Sequence, residues 1–190
     1  MNEITKHRKR VANAVRGVVG GTPKMIPHVS ERDGLGVHML EQECAPRGAH
    51  LFSTIGLHEY DFSYLSNGHS IRVELLAEFD MNVEGASSFV STCAFTLIEK
   101  NLPITPDTVV QNVAREIWPD SSMRHAFIVD PYSFSVETMR FDSLIVTWLQ
   151  VFPISESEFQ HARTNGAAAL RELLHRADAN VFEVDRPTVV

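Results

Sequence analysis

The densest hydrophobic run of the chain lies near its C-terminal end, in residues 144–152 (LIVTWLQVF). It alternates little between apolar and polar positions, which is typical of a strand that is covered on both faces. We therefore predict a central strand here. Pro153 follows the run, and Ser155 with Glu158 three residues later matches a capping box. A helix is accordingly expected to begin at Ser155.

A long helix is predicted after this cap, up to residue 177. Its small and apolar positions recur every three or four residues, as on the buried side of a helix. Gly166 is one of them, although a glycine inside a helix destabilises it by about 1 kcal/mol relative to alanine. We therefore expect Gly166 to lie where the helix backbone closely approaches the sheet. The periodic positions are Phe159, Ala162, Gly166, Leu170, Leu173 and Ala177.

Two alternating runs flank Asn67-Gly68, a dipeptide that favours a type I′ turn. The pattern predicts an antiparallel hairpin over residues 58–77. If the loop has two residues, opposing positions have numbers that sum to 135. The expected pairs on the apolar face are Tyr64 with Ile71, Phe62 with Val73, Tyr60 with Leu75 and His58 with Ala77.

The same register sets Asp61 directly opposite Glu74, although like charges in that position destabilise a sheet. Glu59 and Glu78 lie near the same face. Two interpretations stay open: a solvated or internally paired face, or a surface that binds a partner. We take Glu59, Asp61, Glu74 and Glu78 as the candidate partner-binding residues.

Further elements follow from shorter patterns. A helix is predicted over residues 86–100, with Cys93 on its apolar side, and another from Thr105 to about residue 117. Short strands are expected at residues 25–29, 37–43, 127–129 and 136–141.

The N-terminal segment is predicted to be an amphipathic basic helix, residues 1–22, before a single domain of residues 23–190. Ile4, Val11, Val15 and Val18 are expected to pack inward. Arg16 interrupts the apolar part, which is too short for a signal peptide, so export is not expected. No stretch approaches the roughly 20 apolar residues of a membrane span.

Charge is distributed unevenly. Residues 1–16 hold five Lys or Arg and one acidic residue. Residues 17–190 therefore hold 17 - 5 = 12 basic and 24 - 1 = 23 acidic residues, a net charge of -11. Such an acidic body disfavours nucleic acid and favours a basic protein partner or simple solubility. Two cysteines without a CxxC motif fit a reducing cytoplasm.

Motifs for chemistry are scarce. The chain has nine histidines, and His50, His58, Asp61 and His69 lie within twenty residues, but HEYDF is not the HExxH zinc motif. There is no GxSxG nucleophile motif and no phosphate-binding glycine loop. We predict no enzyme, cofactor or metal. A small metal-dependent hydrolase using His58 and Asp61 is kept as an alternative.

The order of several short stretches resembles the suppressor of fused domain, especially its compact bacterial members. STIGLHEYDF is followed by RVELLAEFD, a helix, LIVTWLQVFPISESEFQ and a terminal Asp185-Arg186, so that the resemblance covers about residues 50–187. The matching positions are Thr54, Gly56, Leu57, Glu74, Leu75, Pro153, Ile154, Glu158, Gly166, Leu170 and Arg186.

This resemblance implies a single α+β domain, in which a twisted, mixed, mostly antiparallel sheet has helices packed on it. It implies no catalytic residues. Bacterial members of the family are regarded as immunity proteins that neutralise a cognate polymorphic toxin. The first hypothesis is therefore a cytoplasmic immunity protein whose acidic surface binds a basic toxin domain. A second alternative is a scaffold domain that binds by adding a strand to residues 25–29 or 37–43.

Overall fold

A nine-stranded mixed sheet organises the chain. The computed structural model describes residues 3–19, 22–30, 34–44, 48–134 and 136–190. In chain order the elements are α1 (Glu3–Val19), β1 (Lys24–Val29), β2 (Gly36–Cys44), β3 (Ala49–Ile55), a 3-10 turn (Leu57–Glu59), β4 (Tyr64–Ser66), β5 (His69–Asp80), α2 (Ala86–Glu99), β6 (Val109–Val110), β7 (Met123–Val129), β8 (Met139–Arg140), β9 (Leu144–Ser155), α3 (Glu156–Asn165) and α4 (Ala167–Arg176).

The strands lie in the order β1-β2-β3-β5-β9-β7-β6, while β4 pairs with β5 and β8 with β9. Among the described strands, β5 and β9 pair in parallel and the other pairs are antiparallel. The predicted α+β class with a mixed, mostly antiparallel sheet is therefore confirmed. The predicted central strand is confirmed as well, since β9 lies between β5 and β7.

Both faces of the sheet are covered, as the unbroken apolar run of β9 indicated. Leu149 and Val151 pack in the cluster that contains the apolar side of α2. On the opposite face Trp148 packs in the α1 cluster, and Phe152 packs in the cluster of α3 and α4. Side chains alternate between the faces because successive residues of a strand point in opposite directions.

The N-terminal helix is present, and its central valines, Val11 and Val15, are fully buried against the sheet. The prediction that Val18 packs inward is wrong, because this side chain is 39% exposed. Val18 lies in the last turn of α1, beyond the part of the helix that the sheet covers. The side chain of Ile4 lies outside the described residues. The division at residue 22 stays a prediction.

The predicted turn is confirmed at the tip of the hairpin. Tyr64 pairs with Ile71, as the two-residue loop requires. Asn67 and Gly68 have φ angles of 49° and 79°, and a type I′ turn needs positive values at both positions.

The predicted register is wrong further from the turn. Strand β3 ends at Ile55, and Gly56, whose φ is 113°, leads into the 3-10 turn Leu57–Glu59. The second half of β5 pairs with β3 instead, with Phe52 opposite Ala77. If the segment before β4 had paired with the second half of β5, as predicted, β3 would have lost this partner strand. The rejected pairs are His58 with Ala77, Tyr60 with Leu75, Phe62 with Val73 and Asp61 with Glu74.

The capping box at Ser155 and Glu158 is confirmed, but the single long helix is wrong. The chain forms α3 and α4, separated at Gly166, whose φ and ψ are 91° and 152°. This backbone region is essentially restricted to glycine. The expected close approach at Gly166 is also wrong, because the residue is exposed and a Cβ there would have no heavy atom within 4 Å.

The helix predicted from Thr105 is wrong, since this segment forms the edge of the sheet. The N–H of Asp107 donates to the carbonyl of Ile128 at 2.7 Å, and the N–H of Ile128 donates to Thr108 at 2.9 Å. These bonds to β7 replace helical bonds. Of the strand predicted at residues 136–141, Met139–Arg140 is present. The other predicted strands and α2 are confirmed.

Candidate functional site

Glu74 was predicted to lie on an exposed acidic face, but its side chain is fully buried, at 0% exposed. The hydroxyl of Thr54 donates to Glu74 Oε2 at 2.5 Å, and the N–H of Gly56 donates to Oε1 at 2.8 Å. Nδ1 of His58 also bonds to Oε1. Thr54 in turn accepts the N–H of Leu75 at 2.8 Å. The carboxylate thus fastens the turn that follows β3 onto β5.

The other three acidic residues have different environments. Glu78 is also buried, at 4% exposed. Glu59 accepts two hydrogen bonds from Arg8 of α1, at 2.5 and 2.7 Å. Asp61 pairs with Arg72 at 3.0 Å. The expectation of one exposed acidic cluster is therefore wrong, because Glu74 and Glu78 lie inside the protein. Partner contact by Glu59 and Asp61 stays a prediction.

A second buried carboxylate, Glu158, lies at the junction of β9 and α3. Arg186 donates to both of its oxygens, at 2.6 and 2.8 Å, and the N–H groups of Ser155 and Val189 donate at 2.9 and 3.1 Å. Arg186 also reaches the carbonyl of Pro153 at 3.3 Å. These bonds fasten the C-terminal segment to the start of the helix.

Electrostatics keep the Glu158 carboxyl ionised. Burial raises its pKa, but the hydrogen bonds from Arg186 and the backbone, with the positive charge of Arg186, outweigh burial and lower the pKa below its usual value. This is the expected behaviour of a carboxylate with several donors to its charged form. Glu158 therefore has a structural role, and it has no free acid–base capacity.

The histidine sites do not assemble a metal centre in the described part of the chain. No group of three His, Cys, Asp or Glu side chains there could hold a metal ion. His58 is 2% exposed and bonded to Glu74, while Asp61 is bonded to Arg72. His58 and Asp61 are thus committed to different partners, contrary to the hydrolase alternative.

The two cysteines offer no accessible nucleophile. Both are free and buried. Burial raises the pKa of the Cys93 thiol well above its usual value, so that the thiolate needed for attack is disfavoured.

Two of the grooves on the described surface are mainly apolar. One, of about 530 Å³, lies beside the hairpin tip and includes Leu65, Phe134 and Trp148; its lining contains no His, Cys, Lys or Arg. The other, of about 400 Å³, lies between β7 and α4 and includes Leu174 and Val181. The lining of the first groove thus offers no histidine base for a nucleophile, whereas the lining of the second includes His175 and Asp178.

Three exposed regions are available for binding. Strand β1 is the outer strand of the sheet, and its side chains Met25 and Val29 are 45% and 63% exposed. The predicted edge at residues 37–43 is wrong, because β2 lies between β1 and β3. The tip of the hairpin presents Leu65, which is 74% exposed.

The third region is a row of basic side chains on α1, which we call the basic stripe: Lys6, Lys9, Arg10 and Arg16, all exposed. The sequence-based interpretation described the helix as basic, but it did not assign these side chains to a site. The signal available in the sequence was that Lys9, Arg10 and Arg16 follow Lys6 by three, four and ten residues. None of the described helices is long and apolar enough to cross a membrane.

Comparisons with known proteins give one consistent result. A family model described as Suppressor of fused protein (SUFU) matches residues 31–187. The Immunity protein YqcF of Bacillus subtilis strain 168 is 30% identical over 190 residues, which cover 98% of this chain and 99% of that protein.

Solved structures share the fold at low identity. The crystal structure of a SUFU homologue from Neisseria gonorrhoeae FA 1090 superposes with a TM-score of 0.72 and 13% identity, covering 98% of each chain. The Sufu chain in the Sufu-Fu complex gives a TM-score of 0.69 and 11% identity, over 96% of this chain and 92% of that one.

Proposed function

Because the chain belongs to the Suppressor of fused protein (SUFU) family, we propose that it is a non-enzymatic immunity protein that binds and neutralises a cognate toxin. One observation carries the proposal: the 30% identity to Immunity protein YqcF extends along nearly the whole of both chains. It thus includes α1 and β1 as well as the region that the family model matches.

The chemistry of the interior supports a binding role. The polar positions that carry the family resemblance, among them Thr54, Glu74, Glu158 and Arg186, bond to one another inside the protein. They maintain the fold and do not face a substrate. Binding another protein requires an exposed surface with a few strongly interacting side chains, and the basic stripe, β1 and the hairpin tip have exposed side chains.

The open edge of β1 supports a particular binding mode as an alternative. An extended segment of a partner can add to such a strand through backbone hydrogen bonds. The exposed Met25 and Val29 would contact the side chains of that segment. Pro27 lies in the same strand, and because it lacks an N–H it limits the bonds available there. Edge addition would serve the same neutralising function.

The test is native affinity capture of the tagged protein from its own cells, with mass spectrometry and elemental analysis on the same sample. We expect one stoichiometric protein partner that is toxic when expressed alone and harmless when co-expressed with this chain. A partner whose toxicity is unaffected would contradict the immunity role. Stoichiometric zinc without a protein partner would favour the hydrolase instead.

A cytoplasmic site of action is part of the proposal. It is supported by Cys44 and Cys93, which are both free thiols and so suit a reducing compartment.

A further inference from the structure

We propose that the basic stripe of α1 is the docking site for an acidic surface on the protein partner. The inference rests on the proposed function and specifies the chemistry of its binding surface. It also reverses the charge expected of the partner's surface, because the acidic character of residues 17–190 suggested a basic partner.

The geometry of α1 turns the basic stripe away from the sheet. With 3.6 residues per turn, the stripe lies on the side of the helix opposite Val11 and Val15, which are fully buried. Lys6 and Arg16 are ten residues apart, so the stripe is about 15 Å long. This length matches part of a protein–protein interface, in which each partner contributes about 800 Å².

Contacts with Glu59 and with Phe141 hold the helix in place. Arg8 forms two hydrogen bonds with Glu59 beside the turn after β3. The guanidinium of Arg10 lies 4.3 Å from the centre of the Phe141 ring, and the ring of His7 lies 4.2 Å from the same centre. A stripe on a fixed helix loses less conformational entropy when a partner binds.

The stripe is not neutralised by the described part of the protein. Residues 6–19 contain no acidic residue. In the described ranges Lys6, Lys9 and Arg16 form no ion pair, in contrast to Arg8. The positive charges of Lys6, Lys9 and Arg16 thus face solvent, on a protein in which residues 17–190 have a balance of -11.

The distribution of charge favours a protein partner over other polyanions. A nucleic acid or an anionic membrane extends beyond 15 Å and would meet the acidic body, which repels it. A membrane-binding helix also needs a free apolar side, whereas Val11 and Val15 are covered by the sheet. A compact acidic patch on a protein meets the stripe alone.

The position of α1 in the chain fits recognition of a cognate partner. The family match begins at residue 31, after the helix. Specific pairing requires interactions that favour one partner over related ones, and the exposed side of α1 can differ while the buried Val11 and Val15 keep the helix on the sheet.

The test compares two triple variants with equal charge. Each changes the net charge from -7 to -7 - 6 = -13. The stripe variant is Lys6→Glu, Lys9→Glu and Arg16→Glu. The control changes three exposed basic residues outside α1: Lys100→Glu, Arg115→Glu and Arg163→Glu. Circular dichroism and urea unfolding establish that both variants are folded.

With the partner obtained by affinity capture, association rates are measured at low and moderate salt. We expect the stripe variant to associate about 10-fold more slowly or worse, with a weaker salt dependence, because steering by opposite charge accelerates encounter by about 10- to 1,000-fold. The control should stay within about twofold of the wild type. Equal losses in both variants, or no loss in the stripe variant, would overturn the proposal.

If capture yields no protein partner, the proposed function fails and the stripe is tested separately. The probes are a polyglutamate peptide, a short DNA duplex and phosphatidylglycerol vesicles. Binding of the peptide that exceeds that of the other probes and is lost in the stripe variant supports the docking site. Preferential binding of DNA or vesicles, or no binding of any probe, overturns it.

Discussion

Two fully buried carboxylates, Glu74 and Glu158, stabilise this fold with different partners. Glu158 is neutralised by the guanidinium of Arg186, a permanent cation, in a two-point contact. Glu74 is surrounded by a hydroxyl group, backbone N–H groups and the imidazole of His58. Removing Arg186 leaves the charge of Glu158 uncompensated, whereas the donors around Glu74 can adapt to a neutral group.

The two sites also connect different parts of the chain. Glu74 joins residues separated by about twenty positions and holds one turn on its neighbouring strand. Glu158 joins residues separated by about thirty positions and holds the C-terminal segment. The comparison shows that the same residue type can close a local turn or secure a chain end, depending on its partner.

The largest effect is expected from Arg186→Met. This change leaves the Glu158 charge buried without its cation, which costs about 3–5 kcal/mol of the free energy of unfolding. Urea unfolding at neutral pH measures it. The double variant Glu158→Gln with Arg186→Met removes both charges and should recover part of the loss. A double variant no more stable than Arg186→Met would show that the charge is not responsible.

A smaller loss is expected from Glu74→Gln, about 2–3 kcal/mol. The amide oxygen can still accept the N–H of Gly56, but the second oxygen is replaced by a donor that faces the Thr54 hydroxyl. The same urea experiment compares it with Arg186→Met. If Glu74→Gln proved the more damaging change, the distinction between the two sites would be wrong.

Two glycines have positive φ: 113° at Gly56, beside Glu74, and 91° at Gly166, between α3 and α4. Replacing either with alanine should cost about 1–2 kcal/mol, because a Cβ is disfavoured in this backbone region. Gly17→Ala is the control, since this glycine lies inside α1 with open space around it. It should stabilise the protein slightly. A neutral Gly166→Ala would contradict the assigned strain.

The pH dependence of the free energy of unfolding should reveal the contribution of Glu158. Because folding lowers the pKa of Glu158, its contribution is complete above the usual value of 4.5 and is lost as pH falls through the lower, folded-state pKa. Urea unfolding of wild type and Glu158→Gln from pH 6 to pH 3, a range around that value, should show a steeper loss in the wild type. Parallel curves would contradict this assignment.

The smallest stability effect is expected at the exposed acidic turn. Asp61 pairs with Arg72, but its side chain is 58% exposed, so Asp61→Asn should change the free energy of unfolding by less than about 1 kcal/mol. Asp61→Lys then tests the predicted contact with the partner, by measuring affinity. An unchanged affinity would remove Asp61 from the candidate interface.

The acidic cluster illustrates what part of the site was predictable. The predicted pairing of Asp61 with Glu74 placed like charges opposite each other, which indicated that the hairpin register was unfavourable there. The structure agrees, because the register does not continue to those residues. The sequence could not show how it is resolved, because this depends on β3 competing with the segment after Glu59 for the same edge of β5. The burial of Glu78 follows from the same pairing.

Local interactions explain what the sequence alone determined. The capping box at Ser155, the type I′ turn at Asn67-Gly68 and the apolar run of β9 each depend on residues a few positions apart, and each was predicted correctly. The family resemblance over residues 50–187 also required only the order of short motifs.

Tertiary structure decided the rest. It selected the partner strand of β5, placed residues 105–117 at a sheet edge, and separated α3 from α4 at Gly166. It also buried Glu74 and left the basic stripe of α1 exposed. These outcomes depend on which distant segments compete for the same strand edges and apolar faces, and the relative free energies of such contacts are not encoded in any short stretch of sequence.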